Sequence, residues 1–275
     1  MSAGDVQIDL NQYPKNWQLT KAGKVFRQED NLLISVRSAF GPAMLKQAIE
    51  GQNLTRSSSL LHWYQGTGSA KILKKRKDTQ LLEWIDGPAL SSLLDGGQTR
   101  KAFDVLGEVV GKLHAPKDAP LKTRLASLSS HFHPLLEQRF NNDPLLRHGA
   151  RLARFLLRSM EKQTPLHGDL GFDKILHHSR RGWLTIAPRG FFGDPHFELA
   201  HALCHRAGQS DLRRLRQQIR QRAALYADRL SLNPDRLLTF AFCHACLQLV
   251  RAQGEEGPVL HWRDMSELLL DTLVE

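Results

Sequence analysis

Residues 165–200 read PLHGDLGFDKILHHSRRGWLTIAPRGFFGDPHFELA. His167-Gly168-Asp169 carries a carboxylate in a loop. Ile175-Leu176 and Trp183 to Ile186 are short β-prone segments on either side of the polar turn His178 to Gly182. A second loop, Pro188 to Phe192, follows. Gly193-Asp194-Pro195 then opens a helix containing Glu198, Leu199 and Ala200, with Asp194 in the position of an N-terminal cap.

The periodicity differs on the two sides of this stretch. Residues 1–85 read as strand-rich with one helix. Asn31 to Arg37 (NLLISVR) and Ala43 to Gln47 (AMLKQ) are strands, Asn53 to Trp63 is a helical stretch, and Lys71 to Leu73 and Gln80 to Ile85 form a hairpin across a basic turn. After Gly87-Pro88 the period becomes helical. Leu90, Leu93 and Leu94 begin a short helix. Val105, Leu106, Val109, Val110 and Leu113 form an apolar stripe on the next. Leu152 to Met160, Leu212 to Tyr226, Leu237 to Val250 and Met265 to Val274 follow. Strands first and helices second define an α+β protein, with a boundary near Asp86-Gly87 between an N-lobe, 1–85, and a C-lobe, 86–275.

The chain has 275 residues, 41% hydrophobic and 24% charged, which is a globular composition of one or two domains. Three cysteines are too few for a disulfide scaffold. Met1 to Leu10 lacks the apolar run of a signal peptide, and no stretch approaches the length of a membrane helix, so the expectation is a soluble, cytoplasmic protein. The net charge of +10 points to anionic partners. It concentrates at Lys71 to Lys77 and at Arg213, Arg214, Arg216, Arg220 and Arg222; both clusters read as solvated faces, since no aromatic residues interleave with the arginines to stack nucleic-acid bases.

A loop carboxylate, a hairpin and a second loop form the layout that phosphoryl transfer uses. HGDLGFDKIL resembles the HGDLHHxNIL catalytic loop of aminoglycoside phosphotransferases. GWLTIAPRGFFGDPHFELA resembles GWLxIDPKGxxGDPxxDLA, a phrase of the streptomycin 6-kinase and hydroxyurea phosphotransferase branch. Lys46 in AMLKQ is similar to the phosphate-binding lysine strand of that family, Leu81 to Gly87 (LLEWIDG) to its hinge phrase, and Leu113-His114 to the end of a C-lobe helix. The resemblance implies a bilobal protein-kinase-like fold with ATP at the hinge. It implies nucleotide contacts from Lys46, Glu83 and Ile85, Asp169 as the base, His167 as the anchor of its loop, and an acceptor pocket lined by Leu121 to Met160.

Four departures from that pattern bear on chemistry. Lys174 stands where the family has its metal-binding asparagine, and Ala187 where it has its metal-binding aspartate. The turn Arg27 to Asn31 has no glycine to lie over phosphates. Leu54 to Ser59 offers no acid to Lys46, while Glu50 follows the lysine by only four residues. No residue is therefore assigned to a metal, and Mg²⁺ binding is doubtful. The charge of Lys174, helped by Arg189, either replaces the metal on a nucleotide or is spent on Asp169 or Asp173, closing the pocket.

These departures leave a catalytically impaired, pseudokinase-like phosphotransferase relative that binds a nucleotide, a small ligand or a protein. One alternative is an active ATP-dependent phosphotransferase for a small hydroxylated molecule. Another is a basic module for nucleic acid or protein. Only Glu137 and Asp143 are acidic in Leu121 to Arg147, a poor match to a polycationic aminoglycoside. His201 and His205 at i, i+4, and Cys243 with Cys246, have zinc-like spacing but no further ligands, and they read as packing residues.

Overall fold

The computed structural model describes residues 8–28, 30–49, 52–118, 120–121 and 123–274. Among them, six strands form an N-terminal sheet: β1 (Thr20–Lys21), β2 (Phe26–Gln28), β3 (Asn31–Ser38), β4 (Gly41–Ala48), β5 (Ile72–Lys75) and β6 (Thr79–Glu83). All pair antiparallel, in the order β1-β3-β4-β6-β5 with β2 also on β3. Alternation places Ile34, Val36, Ala43, Leu45 and Leu81 in a small core beneath Tyr13 and Trp17, whose rings stack 5.8 Å apart. Helix α1 (Thr55–Tyr64) crosses between β4 and β5. Buried Gln80 on β6 fastens it to the sheet by donating to Ser57 Oγ at 3.1 Å and Ser58 Oγ at 3.0 Å.

The remaining chain is mainly helical: α2 (Ser91–Asp95), α3 (Thr99–His114), α4 (Leu128–Leu136), α5 (Pro144–Arg158), α6 (Ala200–Leu203), α7 (Leu212–Leu230), α8 (Pro234–Arg251) and α9 (Glu256–Val274). Three short strands, β7 (Ala126–Ser127), β8 (Thr164–Leu166) and β11 (Phe191–Gly193), form a ribbon with β11 in the middle. β9 (Ile175–His178) and β10 (Gly182–Thr185) form a hairpin. The central helix is α8, buried from Leu237 to Leu249 on nearly every face, as its unbroken apolar run requires. No helix among the described residues is long and apolar enough to cross a membrane.

The hairpin β9–β10 joins the sheet to the helices. On one side Ala70 N–H donates to Thr185 O at 2.8 Å and Thr185 N–H to Gly68 O at 2.9 Å. On the other, Gly87 N–H donates to His177 O at 2.9 Å and Leu90 N–H to Ile175 O at 2.7 Å. Gly87 is required there, since a Cβ would lie 2.3 Å from His177 O.

Several elements differ from the sequence expectation. Helix α4 had no periodic signature; it is short, contains Pro134, and starts from a Ser127 side chain that caps Ser130 N–H. Helix α5 begins at Pro144, ahead of the expected Leu152, because Asp143 caps Leu145 N–H at 2.9 Å. The arginine helix α7 is not simply a solvated face. Arg213 and Arg214 are exposed, but Arg216 pairs with Asp271 at 3.1 Å, Arg220 donates to Thr272 O at 2.7 Å, and buried Arg222 lies 3.9 Å from the Phe103 ring and donates to His205 O. Long aliphatic stems let these guanidiniums cover apolar surface while reaching partners on α9 and in the loop after α6. Glu50 lies outside the described residues.

Helices α5 and α8 pack tightly at Gly149, where a Cβ would meet Cys246 Sγ at 2.8 Å and Cβ at 2.9 Å. Gly→Ala inside a helix ordinarily stabilises by about 1 kcal/mol, whereas overpacking costs about 1–3 kcal/mol. Gly149→Ala is therefore expected to lower the thermal midpoint of the native protein, and to lower it less in a Cys246→Ala background, which removes the Sγ contact but keeps the Cβ contact at 2.9 Å. Thermal denaturation of the four proteins of this cycle checks the smaller loss.

Candidate functional site

The loop after β8 is held from below by one carboxylate. Glu198 lies in the 3₁₀ turn Pro195–Leu199, which Asp194 caps through His196 N–H at 3.0 Å. Asp194 also accepts from Arg236 Nε at 2.7 Å, which ties the turn to α8. The Glu198 side chain is fully buried. It accepts from the backbone N–H of His167 at 2.8 Å and of Gly168 at 2.9 Å, and it pairs with His114 Nε2 at 3.2 Å. Burial pushes its pKa up, but the His114 hydrogen bond and charge, with the Gly168 N–H, outweigh it and leave the carboxyl below its ordinary value.

His167 is completely buried and donates from Nε2 to Ile186 O at 2.8 Å, while Nδ1 accepts from Asp169 N–H at 3.3 Å. Burial lowers its pKa, so the ring is neutral, with its tautomer set by these two bonds. Gly168 adopts φ +77°, and a Cβ there would lie 2.2 Å from the Phe191 ring. These contacts set the direction in which Asp169 leaves the loop.

Asp169 faces an open cleft of about 400 Å³ between the sheet and the helices. Arg189, from the loop between β10 and β11, meets it with Nε 3.3 Å from Oδ2. Lys174 reaches Asp173 at 3.3 Å and still lines the cleft, so this pairing does not close it. Lys46 is nearly buried on β4, opposite Gln80, and lines the same cleft; Ser57 on α1 is also in the lining, on the helix where the resemblance would place an acid. Arg56 from α1 and Arg251 from the end of α8 complete the charged walls. Nothing in the sequence marked Arg56 or Arg251, because their relevance arises only when α1 and α8 are brought to one opening.

Glu83 and Ile85 do not line this cleft. The Glu83 side chain instead accepts from Lys71 N–H at 2.7 Å and pairs with Arg181, whose guanidinium also donates to the carbonyls of Gly66 and Ser69. It thus fastens the end of β6 to the β9–β10 turn.

The residues present do not fit a divalent cation. Lys174 and Ala187 offer no oxygen side chain at the two motif positions. Among the described residues, Asp169 is the sole carboxylate in the cleft lining, and no three His, Cys, Asp or Glu side chains converge on a metal position. Ala187 nevertheless holds φ +54°, a left-handed conformation that aspartate and asparagine tolerate far better than alanine. The same residues do fit phosphate. Five cations, Lys46, Arg56, Lys174, Arg189 and Arg251, surround one carboxylate.

The residues with zinc-like spacing make ring and buried contacts. His201 stacks on His244 with centroids 5.5 Å apart, and His205 packs edge-on against Phe172 at 5.0 Å. Cys204, Cys243 and Cys246 are buried, and burial pushes their thiols up.

A β-rich sheet with one helix, a helical body and a loop carboxylate presented at their junction define a kinase-like protein. Solved structures share the architecture. An aminoglycoside phosphotransferase APH(4)-Ia mutant in complex with ADP and hygromycin B superposes with a TM-score of 0.64 at 11% identity, covering 92% of this chain and 93% of that one. A choline/ethanolamine kinase family protein from Mesorhizobium loti gives a TM-score of 0.62 at 15% identity, covering 99% of this chain and 89% of that one. The sequence narrows the class: residues 16–256 match the aminoglycoside/hydroxyurea antibiotic resistance kinase family, and the chain belongs to it. The chain is 31% identical to a streptomycin 3''-kinase of Klebsiella pneumoniae over 188 residues, 68% of this chain and 70% of the relative. It is 28% identical to a streptomycin 6-kinase of Streptomyces griseus over 197 residues, 68% of this chain and 63% of the relative.

Burial lowers the pKa values of His131, to about 3, and of His167, His201 and His244. In the unfolded chain these groups protonate near pH 6.5. Below that pH the unfolded state binds more protons than the folded one, so stability is full above about pH 6.5 and falls as the pH drops toward the folded values. Urea denaturation at stepped pH should show this loss beginning near pH 6.5, before ordinary carboxylates titrate. A flat profile down to about pH 5 would contradict neutral burial of the rings.

Proposed function

We propose that this protein binds a nucleoside phosphate in the cleft through its own cations, without a divalent metal, and that phosphoryl transfer from the bound nucleotide is impaired. The observation that carries the reading is the lining of the cleft: five basic side chains and one carboxylate, with Lys174 at the position of a metal ligand. Phosphates are neutralised as well by ammonium and guanidinium groups as by a cation held on carboxylates. What the side chains do not supply is a metal bridging the transferred group as charge develops on it, a contribution worth several kcal/mol of barrier. The ADP and AMP-PNP complexes of structurally similar phosphotransferases support a nucleotide as the ligand.

A second reading, active transfer to a small hydroxylated molecule, is favoured by Asp169, which the Glu198 anchor presents to the cleft as a base would be. The nucleic-acid reading has less support, because Arg216, Arg220 and Arg222 are committed to contacts within the chain.

Thermal shift with ATP in the presence of a chelator tests the proposal. A nucleotide at a hundred times its Kd adds about 2.7 kcal/mol and moves the midpoint by several degrees. The expected result is a shift that Mg²⁺ does not increase, with Lys174→Ala weakening ATP by about tenfold or more, the loss of one charge-assisted contact. A shift that requires Mg²⁺ would overturn metal-free binding and favour the active enzyme.

The backbone at Ala187 generates a separate expectation. Lys174→Asn combined with Ala187→Asp places two oxygen ligands on an unchanged loop, and ATP binding to this double variant should become Mg²⁺-dependent. Titration calorimetry with and without Mg²⁺ reads the difference; equal affinities in both conditions would show that more than two side chains separate this cleft from a metal site.

A further inference from the structure

The outer face of α5 carries a row of cations that the fold does not neutralise. Leu145, Leu146, Gly149, Ala150, Ala153 and Leu156 are buried against the helical body, so Arg147, Arg151, Arg154 and Arg158, at i, i+4, i+7 and i+11, share the opposite side. Arg139, in the 3₁₀ turn Glu137–Phe140, meets Arg147, Arg151 and Arg154 at an open groove of about 600 Å³. Arg147 donates to the carbonyls of Asn141 and Asn142, and Arg151 to His148 Nδ1. Among the described residues none of the five arginines pairs with a carboxylate. From Gln138 to Met160 the only acid is Asp143, and it is taken by Leu145 N–H and Arg263. The α7 arginines differ, because Arg216, Arg220 and Arg222 are held by contacts within the chain.

Two large aromatic side chains stand among these charges. Phe140 is 82% exposed and Phe155 62%. Phe140 lines the groove, with Arg139 4.9 Å from its ring centroid. Phe155 follows Arg151 by four residues, so the two are neighbours on the helix surface. Arginine together with exposed aromatic rings is the composition of a binding surface, whereas a merely solvated face has little use for the rings.

The pattern selects among anionic partners. From Arg147 to Arg158 the row spans eleven residues, about 16 Å of helix, which calls for a repeating anion and not a single phosphate. A helix that lies on a lipid surface turns its apolar face outward, but the apolar face of α5 is buried against the body. An acidic peptide matches the charge and leaves the two rings without partners of their own kind. A single nucleic-acid strand supplies both phosphates for the guanidiniums and unstacked bases for the rings.

We propose that the outer face of α5, with the turn at Phe140, is a docking surface for a single-stranded nucleic acid, bound without sequence preference. The arginine row tracks the phosphates, and Phe140 and Phe155 each stack a base. The surface is separate from the cleft at Asp169 and shares no lining residue with it. The proposal is therefore independent of what the cleft binds.

Fluorescence anisotropy with the full chain and a labelled oligothymidylate of about twelve nucleotides tests the surface. With one phosphate contact for each α5 arginine, affinity is expected to fall by about three decades per decade of salt. Arg151→Gln with Arg158→Gln should cut that slope to about half and weaken binding about tenfold or more. Phe140→Ala with Phe155→Ala should also weaken binding about tenfold or more, but with the slope unchanged, since stacking releases no counterions. All four side chains are exposed, so both variants keep the fold. A duplex of the same length, polyglutamate and phosphatidylserine vesicles serve as competing anions, and each is expected to bind more weakly than the strand. Equal or tighter binding of any of them, a strand that does not bind at low salt, or full affinity in either double variant would overturn the proposal. Displacement of the strand by excess ATP would place it in the cleft and overturn the proposal too; retention in excess ATP supports the α5 face whether or not ATP itself binds.

Discussion

The site depends on one buried carboxylate. Glu198 takes two backbone N–H groups of the Asp169 loop and one imidazole of α3, and so ties the loop to the 3₁₀ turn and the helical body at once. A carboxylate removed from water is costly unless its lone pairs are filled, and these three donors fill them. With Glu198 in place, His167 can be buried neutral, its Nε2 proton can hold Ile186, and its carbonyl can accept from both Arg189 and Gly190 N–H. The position of every charged group in the cleft except those on the sheet, α1 and α8 follows from that chain of bonds.

The anchor and the cleft cations use different atoms. Loop geometry, the Gly168 approach to Phe191 and the left-handed residue at 187 occur in a chain with lysine at 174 and alanine at 187. Structural and catalytic parts of such a site are separable because they use different atoms: backbone N–H groups and buried rings for the scaffold, exposed side-chain oxygens for the metal. Two side chains can alter the second set without loss of the first.

Much of the fold was legible in the sequence. The strands at 31–38 and 41–48 carry β-prone residues with partial alternation, and α3, α7 and α8 carry continuous apolar stripes, so local periodicity reports much of their burial. Helix α4 was not legible because its short span, with Pro134 inside, gives too little repeat to register. The cleft was half legible. Asp169, Lys174, Lys46 and Arg189 lie in or beside motif phrases, whereas Arg251 closes a hydrophobic helix and Arg56 opens a serine-rich one, and neither neighbourhood hints at an anion. Glu83 and Ile85 follow the hinge phrase, but the Glu83 carboxylate is drawn aside by Arg181 and Lys71 N–H. Among the α7 arginines, sequence shows which faces are charged but not that α9 will lie across them.

The cation distribution also has a mechanical consequence. The sheet and helices are stitched together on the Arg181 side by hydrogen bonds, while across the open mouth Lys46 and Arg56 on the sheet side face Lys174, Arg189 and Arg251 on the other. Like charges there push outward against the stitches, as a compressed spring pushes against a hinge. An anion entering the mouth offsets that repulsion directly. Added salt weakens the same repulsion by screening, over the roughly 8 Å Debye length of physiological ionic strength, so the field at the mouth is a property of the solvent as well as of the fold.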